Sequence, residues 1–506
     1  MADSSWNSQQ WPFWWRAIIL LNVSFYNLLG NAYAAGVPPL FQLIIEDFHV
    51  SQEAASQLST YVLLALGLSN IFALPLSALI GKRYTVVFSL AVFLASCIWS
   101  GEAGSYGSLK ASRIVGGLGG GLIEALGPRI VVETFPERQL ASAMVVYVGF
   151  LAAGSAVGPI VAGAVAQDLG NWRWYMRILS IAIFCNLLGA ILMLPETTHE
   201  IQPNDEHIRP NKDSETPGGE PHDDKEQNDQ RIESVPGVGK ETVSYFRSHS
   251  LRKEYIDKSF STQFVSLNWR TAMLLFIQPA ELFLAPQVLL AILVFGLTIG
   301  WTVVTSILTA SVYAAPPLLW SALSVGLLSI APLVGIIIGL PIGGAFADIL
   351  SGIARRRSGG EHNPATRLPV AILGALVSPA GCLLIGYGLK DPASEWFRVC
   401  AGWCMLSVGL TGSANVLLTY AVDCLPTRAG HIGVLINLTK NCLGFGVSYA
   451  SITWMQTAGP VSQMATMAGI LWGAYLLVIP MGLFSKTLMK KTSWLEARTL
   501  PVGPVH

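Results

Sequence analysis

Long apolar stretches alternate with short polar segments along almost the whole chain. The apolar stretches are continuous and lack the residue-by-residue alternation of barrel strands, so they predict helices. At about 20 residues each, they are long enough to cross about 30 Å of hydrocarbon. Twelve helices are predicted, at residues 16–38, 55–79, 84–104, 108–132, 140–166, 174–195, 288–312, 319–349, 367–388, 395–422, 428–456 and 463–486.

Composition strengthens this prediction. The chain has 506 residues, of which 52% are hydrophobic and 12% charged, with a mean hydropathy of +0.51. A soluble domain carries about 25% charged residues. The predicted fold class is an all-α polytopic membrane protein with twelve transmembrane helices in two six-helix, pseudo-symmetric bundles. A net charge of zero argues against a nucleic-acid partner.

Basic residues in the loops predict the orientation. With a cytoplasmic N-terminus, thirteen lysines and arginines lie in inside segments and five in outside loops. Short cytoplasmic loops are enriched in such residues. We therefore expect both termini in the cytoplasm and a multi-pass protein of the cell membrane, with an internal membrane as the open alternative.

The middle of the chain differs from the rest. Residues 199–233 hold eleven acidic and four basic residues with almost nothing to bury, a composition typical of disorder. The predicted divisions are an N-terminal segment (1–15), a six-helix bundle (16–195), a largely disordered cytoplasmic linker (196–287), a second six-helix bundle (288–486) and a cytoplasmic tail (487–506).

The fourth predicted helix contains "RIVGGLGGGLIEALGP" at residues 113–128. Gly116/Gly120 and Gly117/Gly121 are small-residue pairs that let membrane helices approach closely. Arg113 and Glu124 share one helix face, because eleven residues leave them about 20° apart around the axis. A charge near the bilayer centre costs at least about 2.5 kcal/mol, so we expect that face to line a wet cavity. Alternatively, Arg113 extends to the interface and Glu124 pairs with a neighbour to fix packing.

Several motifs resemble the major facilitator superfamily. "LPLSALIGKRY" (74–84) and "GGAFADILSGIARRR" (343–357) are similar to its repeated loop signature, and the second copy keeps the aspartate as Asp348. "LKASRIVGGLGGG" resembles the fourth-helix motif, which implies a proton-coupling role for Arg113. "GSAVGPIVAG" resembles the antiporter motif of the fifth helix, through Gly154, Gly158, Pro159 and Gly163.

Further stretches narrow the resemblance to fungal twelve-span drug:proton antiporter-type carriers. They are "NWRWYMRI" (171–178), "LPETT" (194–198), "RLP" (367–369) and residues 419–460. Arg177 stands where an aromatic residue is more usual. The resemblance implies transport by alternating access of the two halves.

Polar residues within other helices are candidates for a substrate cavity. Lys440 lies near the middle of the eleventh helix, and an intramembrane lysine is a functional candidate by default. The full candidate set is Tyr26, Asn27, Asn31, Trp301, Thr305, Asn437, Lys440 and Asn441. For any single one of these residues, an ordinary contact between helices is about as good an explanation as a substrate cavity. A cytoplasmic gate is expected from Asp348, Arg355, Asp423 and Arg428, with Asp423 and Arg428 as a structural pair.

The energy source is expected to be an ion gradient. The nearest match to a phosphate-binding loop, "SVPGVGKET" (234–242), has serine in place of the first glycine, so no ATP site is expected. A buried carboxylate is a natural proton carrier because desolvation favours its protonated form, and Glu124 is the first candidate. We expect no catalytic residues, cofactor or metal, and a monomer that binds protons, lipid and a small organic substrate.

Three functions stay open on the sequence alone. The first is proton-coupled export of an amphipathic organic compound, such as a drug or secondary metabolite. The second is proton-coupled uptake of an amine or another nutrient, which the antiporter-like motif disfavours. The third is a sensor with a transporter fold and the long linker as its output.

Overall fold

A computed structural model describes residues 11–196, 269–357 and 364–497. This part of the chain is helical and contains no strand. Twelve long helices, numbered α1 to α12, confirm the predicted fold class. They are Phe13–Ala35, Gln52–Ile80, Lys82–Gly101, Tyr106–Thr134, Glu137–Leu169, Arg173–Met193, Pro286–Tyr313, Ala322–Ile353, Pro364–Lys390, Trp396–Cys424, Ala429–Ala458 and Pro460–Leu483.

Eleven of these helices are long and apolar enough to cross a membrane, and α11 is the exception within the described residues. At 30 residues, α11 is long enough to span. Its polarity comes from the central residues Asn437, Lys440 and Asn441, which the structure places inside the bundle.

Local sequence determines where several helices begin and end. The side chains of Ser51 and Ser105 accept hydrogen bonds from backbone N–H groups three residues later and cap α2 and α4. Gly81 separates α2 from α3 with a φ of +85°. Glycine adopts this left-handed region without the steric cost of a Cβ, so one residue suffices for the turn.

The two groups of six helices repeat the same packing pattern. Within the first half, α1 packs on α5, α2 on α4 and α3 on α6; within the second, α7 packs on α11, α8 on α10 and α9 on α12. The halves meet along two pairs of helices, α2 with α11 and α5 with α8. We call these the α2–α11 seam and the α5–α8 seam. The predicted internal repeat is thereby visible in the packing.

The second half is less regular than the first. A π-helical turn interrupts α8 at Ile342–Phe346, and another interrupts α10 at Leu410–Ala414. The two turns lie against each other, because Gly343 of α8 packs directly on the backbone of Thr411 and Gly412. Such turns frequently mark functional positions in helices.

An even number of crossings places the first and last described residues at one end of the bundle. We call it the terminal end and the other the opposite end. A linker helix, Trp269–Glu281, precedes α7, and a short helix, Ser485–Thr492, follows α12. Residues 1–10, 197–268, 358–363 and 498–506 lie outside the described residues, and so does the predicted disorder of 199–233.

Arg177 has a structural role at the opposite end. Its guanidinium forms an ion pair with Glu102 at 2.8 Å and lies 5.0 Å from the centre of the Trp174 ring. The nearby Arg173 pairs with Asp47 at 2.8 Å. Both arginines therefore join the start of α6 to the segments that follow α1 and α3.

Candidate functional site between the two halves

Glycines allow α4 to lie unusually close to its neighbours. A β-carbon at Gly117 would lie 2.8 Å from the carbonyl oxygen of Val62, and one at Gly121 would lie 2.6 Å from that of Leu66. Gly120 is in equally close contact with Gly30 of α1. These glycines are packing positions, as predicted, and the close approach fixes the depth at which the charges of α4 lie.

Arg113 is buried within the first half. Its Nε donates to the carbonyl oxygen of Leu58 at 3.0 Å, and its Nη2 donates to that of Tyr33 at 2.8 Å. The guanidinium also lies 4.4 Å from the centre of the Tyr33 ring. Backbone dipoles and an aromatic face thus hold this charge, and its Nη1 has no hydrogen-bond partner among the described residues.

Glu124 and Lys440 form a buried ion pair that joins the two halves. The Lys440 Nζ lies 3.2 Å from the Glu124 Oε2, and both side chains are at most 3% exposed. Glu124 is on α4 of the first half and Lys440 on α11 of the second. The sequence singled out both residues, and the structure brings them together.

Two asparagines of α11 complete the contact. Asn441 donates from its Nδ2 to the Glu124 Oε2 at 3.1 Å, and Asn437 donates to the backbone carbonyl of Glu124 at 3.0 Å. Asn437 lies three residues before Lys440 and four before Asn441, so it shares a helix face with both of them. Hydrogen bonds to an ionised carboxylate are stronger than those between neutral groups.

Tyr147 of α5 is a neighbour of Glu124 that the sequence did not single out. It is buried, lies within electrostatic reach of Glu124, and donates to the carbonyl oxygen of Ile123 at 2.9 Å. Gly127 leaves the room for its ring, since a β-carbon there would lie 2.5 Å from it. Tyr147 and Glu124 lie on different helices, so no spacing along the chain relates them. Only the packing of the helices shows this contact.

Arg113 and Glu124 have separate partners. Although they share a face of α4, Arg113 binds carbonyls of α1 and α2 whereas Glu124 binds α11. Glu124 therefore faces the other half, and Arg113 stabilises the first half internally.

Tyr26 and Trp301 face into their own halves. Tyr26 donates to Ser89 Oγ at 2.8 Å and also contacts the Gly119 carbonyl, while Trp301 Nε1 donates to the Met467 carbonyl at 2.9 Å. Thr305 donates to the Trp301 carbonyl on its own helix at 2.8 Å. The structure does not bring these three candidates to the contact between Glu124 and Lys440.

Asn27 and Asn31 form a small polar group on α1. Asn31 Nδ2 donates to Asn27 Oδ1 at 3.2 Å, and the buried Asn27 amide lies within hydrogen-bonding reach of Tyr147. Gly154 of α5 packs on this stretch of α1, where its β-carbon would lie 2.9 Å from that of Asn31. This polar group therefore lies between α1 and α5.

The residues of the antiporter-like motif pack on two different helices. Gly154 and Gly158 lie against α1, with a β-carbon at Gly158 only 2.8 Å from the Ala32 carbonyl oxygen. Gly163 lies against Ala322 and Leu323 of α8, and a β-carbon at Gly326 of α8 would lie 2.5 Å from the Pro159 carbonyl oxygen. The motif thus builds both the core of the first half and the α5–α8 seam.

The expected pairing of Asp423 with Arg428 is not formed, which corrects that prediction. Arg428 pairs with Glu281 at 3.3 Å and donates to the Leu495 carbonyl at 3.0 Å, whereas Asp423 pairs with Arg367 at 3.6 Å. Asp423 is the penultimate residue of α10 and Arg428 directly precedes α11, and the intervening turn points them to different neighbours. The side chains of Asp348 and Arg355 lie outside the described residues, although their backbone is helical.

Together, the fold and this site define a polytopic helical protein with two pseudo-symmetric halves joined by a buried ion pair. A carboxylate and an ammonium in that position make the contact between the halves dependent on charge. Loss of either charge would leave the other buried without compensation, which is strongly destabilising.

The chain belongs to the major facilitator superfamily, because a family model of the description Major Facilitator Superfamily matches residues 20–449. It is therefore a multi-pass membrane transporter, and a small molecule is its substrate. A similar protein, Efflux pump FUB11 of Gibberella moniliformis, is 24% identical over 486 residues, covering 94% of this chain and 72% of that protein.

Other similar proteins come from yeasts. An uncharacterized transporter of Schizosaccharomyces pombe is 24% identical over 421 residues, covering 82% of this chain and 77% of its own. Protein HOL1 of Saccharomyces cerevisiae is 22% identical over 480 residues, covering 88% and 81% of the two chains. These are similarities across nearly the whole membrane-spanning part of the chain.

Proposed function

We propose that the protein exports an amphipathic organic compound, a drug or secondary metabolite, in exchange for protons. The observation that carries the proposal is the buried ion pair between Glu124 and Lys440. The similarity to a fungal efflux pump and the antiporter-like motif on α5 support the direction of transport.

In the proposed cycle, the protonation state of Glu124 determines whether the halves are held together at α4 and α11. The ionised carboxylate attracts Lys440 and accepts the Asn441 amide. A proton on Glu124 removes that attraction and leaves the Lys440 ammonium buried without a counter-charge, a costly state. Water and substrate then replace the lost contact as the halves separate, which is the charge-dependent step of alternating access.

The orientation of the protein in the membrane is part of the same proposal. The terminal end is the cytoplasmic end, because most loop lysines and arginines lie there. Protons enter from the opposite, outer end and leave into the cytoplasm, while substrate moves outward. The protein acts as a monomer of the plasma membrane, powered by the proton gradient and without ATP.

The experiment compares accumulation of rhodamine 6G in drug-sensitive cells that express the wild type, Glu124→Gln or Glu102→Gln, with and without a protonophore. Glu102 is a matched control, since its carboxylate pairs with Arg177 at an exposed site. We expect low accumulation in the wild type and Glu102→Gln, high accumulation in Glu124→Gln, and loss of the difference with the protonophore. Higher accumulation in the wild type than in cells without the protein would establish uptake instead.

A further inference from the structure

The linker helix Trp269–Glu281 contacts both halves of the transporter at the terminal end. It packs on α2 of the first half and on α11 of the second. Its Phe276 ring meets the ring of Phe72 on α2 edge to face, with 5.6 Å between centres, and its Leu275 and Gln278 are buried. The linker helix therefore bridges the α2–α11 seam.

Its last residue, Glu281, provides a carboxylate to a deeply buried arginine. Arg428, directly before α11, has a fully buried side chain, and its Nη2 lies 3.3 Å from the Glu281 Oε2. The Nε of Arg428 donates to the Leu495 carbonyl, and its Nη1 has no partner among the described residues. Glu281 is the only carboxylate paired with Arg428 in that part of the chain.

A second arginine and a buried histidine lie at the same place, one on each side of the boundary between the halves. Arg129 of α4 lies against α11, because its Nε is 3.1 Å from the point where a β-carbon at Gly430 would lie. His431 is buried, its Nε2 has no partner within the described ranges, and both Arg129 and Arg428 are within its electrostatic reach.

Glu133 is the carboxylate of α4 that lies near this cluster. Glu133 attracts Arg129, but it also forms an ion pair with Lys82. Arg129 of the first half and Arg428 of the second thus both lie near His431, and the carboxylate that attracts Arg129 is shared with Lys82. Like charges held close together in a partly dry environment repel strongly. The carboxylate that compensates Arg428 comes from the linker helix.

We propose that Glu281 is a positioning residue of the transport cycle, which keeps the terminal end of the α2–α11 seam closed by neutralising Arg428 opposite Arg129. Glu281 acts through these arginines and not on the substrate. Withdrawal of the linker helix removes its charge from the cluster, and repulsion between Arg129 and Arg428 then favours opening of this end. The segment between the halves thus controls access from the terminal end.

The test measures amide hydrogen exchange by mass spectrometry on the full-length protein in lipid nanodiscs. We expect Glu281→Gln to speed exchange by about fivefold or more in peptides at the end of α4 and the start of α11, since local opening exposes their amides. Peptides from the opposite end should exchange as in the wild type. Glu281→Asp, which keeps the charge, should stay near the wild type.

A double variant makes the test specific to charge. Arg129→Gln removes the opposing arginine, so Glu281→Gln combined with Arg129→Gln should return exchange at both peptides towards the wild type. Unchanged exchange in Glu281→Gln, a rise spread over all helices, or no recovery in the double variant would each overturn the proposal. The measurement uses neither substrate nor a pH gradient, so its outcome is independent of proton-coupled export.

Discussion

The two seams between the halves differ in the groups that make contact, although a pseudo-symmetric packing pattern relates them. At the α5–α8 seam, Gly163 and Gly326 bring backbone directly against backbone. At the α2–α11 seam, side chains meet: the Tyr61 ring lies 5.5 Å from that of Phe445 and 6.3 Å from that of Tyr449, between ring centres. Beside it, Glu124 reaches from α4 to Lys440.

This difference indicates which seam can change its contacts when a side chain is protonated. Glycine contacts at the α5–α8 seam depend on shape alone, since no titratable side chain takes part in them. The α2–α11 seam and the adjacent α4 contain a carboxylate, a lysine and the Asn441 amide, whose contacts depend on charge. We therefore expect the α5–α8 seam to stay packed during the cycle while the α2–α11 seam opens and closes.

The largest effect is expected at the ion pair itself. Lys440→Met leaves Glu124 buried without its cation, and breaking a buried pair in this way costs about 3–5 kcal/mol. Thermal unfolding of the purified protein should detect this loss, and rhodamine 6G export should fall at least to a tenth. Combining Lys440→Met with Glu124→Gln should recover most of the stability but not proton-driven export. Full export by Lys440→Met would contradict the assignment.

An intermediate effect is expected when the α5–α8 seam is overpacked. In Gly326→Ala, the new methyl group would lie 2.5 Å from the Pro159 carbonyl oxygen, so the helices must separate. Overpacking of this kind costs about 1–3 kcal/mol, and both the unfolding temperature and export should fall. Gly149→Ala on α5 is the matched control, because its nearest neighbour would be 3.8 Å away. Equal behaviour of the two variants would remove the distinction between the seams.

The smallest change in stability is expected at the α2–α11 seam. In Gly67→Ala, the new β-carbon would lie 3.0 Å from that of Asn441, which must shift by a few tenths of an ångström. The cost is about 1 kcal/mol, and it is offset by a similar gain in helix propensity. Export should nevertheless fall, since Asn441 holds Glu124.

Gly433→Ala on α11 provides the control for that variant, because nothing lies within 4 Å of its β-carbon position. It should export normally and gain up to about 1 kcal/mol in stability from helix propensity. A Gly67→Ala variant that exports as well as Gly433→Ala would show that the position of Asn441 does not matter.

The fold followed from the sequence because bilayer thickness dictates the length of each apolar segment. Glu124 and Lys440 could also be predicted as functional candidates, because a charged side chain within the membrane costs free energy. Their pairing could not be predicted, because they lie on different halves and no pattern along the chain joins them. Asn437 and Asn441 were found only as neighbours of that lysine.

The sequence carries little information on the direction in which other side chains point. Tyr26 and Trp301 combine an apolar ring with one polar atom, which a backbone carbonyl satisfies inside a half as well as a substrate would in a cavity. Asp423 and Arg428 are near in sequence, yet the turn between them gives each a different partner. Glu281 lay in a segment predicted only as linker, so its contact with Arg428 required the structure.

The central claim is that the charge of Glu124 couples protons to transport, and proteoliposomes test it most directly. Rhodamine 6G movement is measured in two modes for the wild type, Glu124→Gln and Glu102→Gln: exchange of dye against dye at equal pH, and uphill movement driven by an imposed pH gradient. We predict that Glu124→Gln retains exchange but loses all response to the gradient, while Glu102→Gln retains both. Gradient-driven transport by Glu124→Gln at the rate of the wild type would contradict the account.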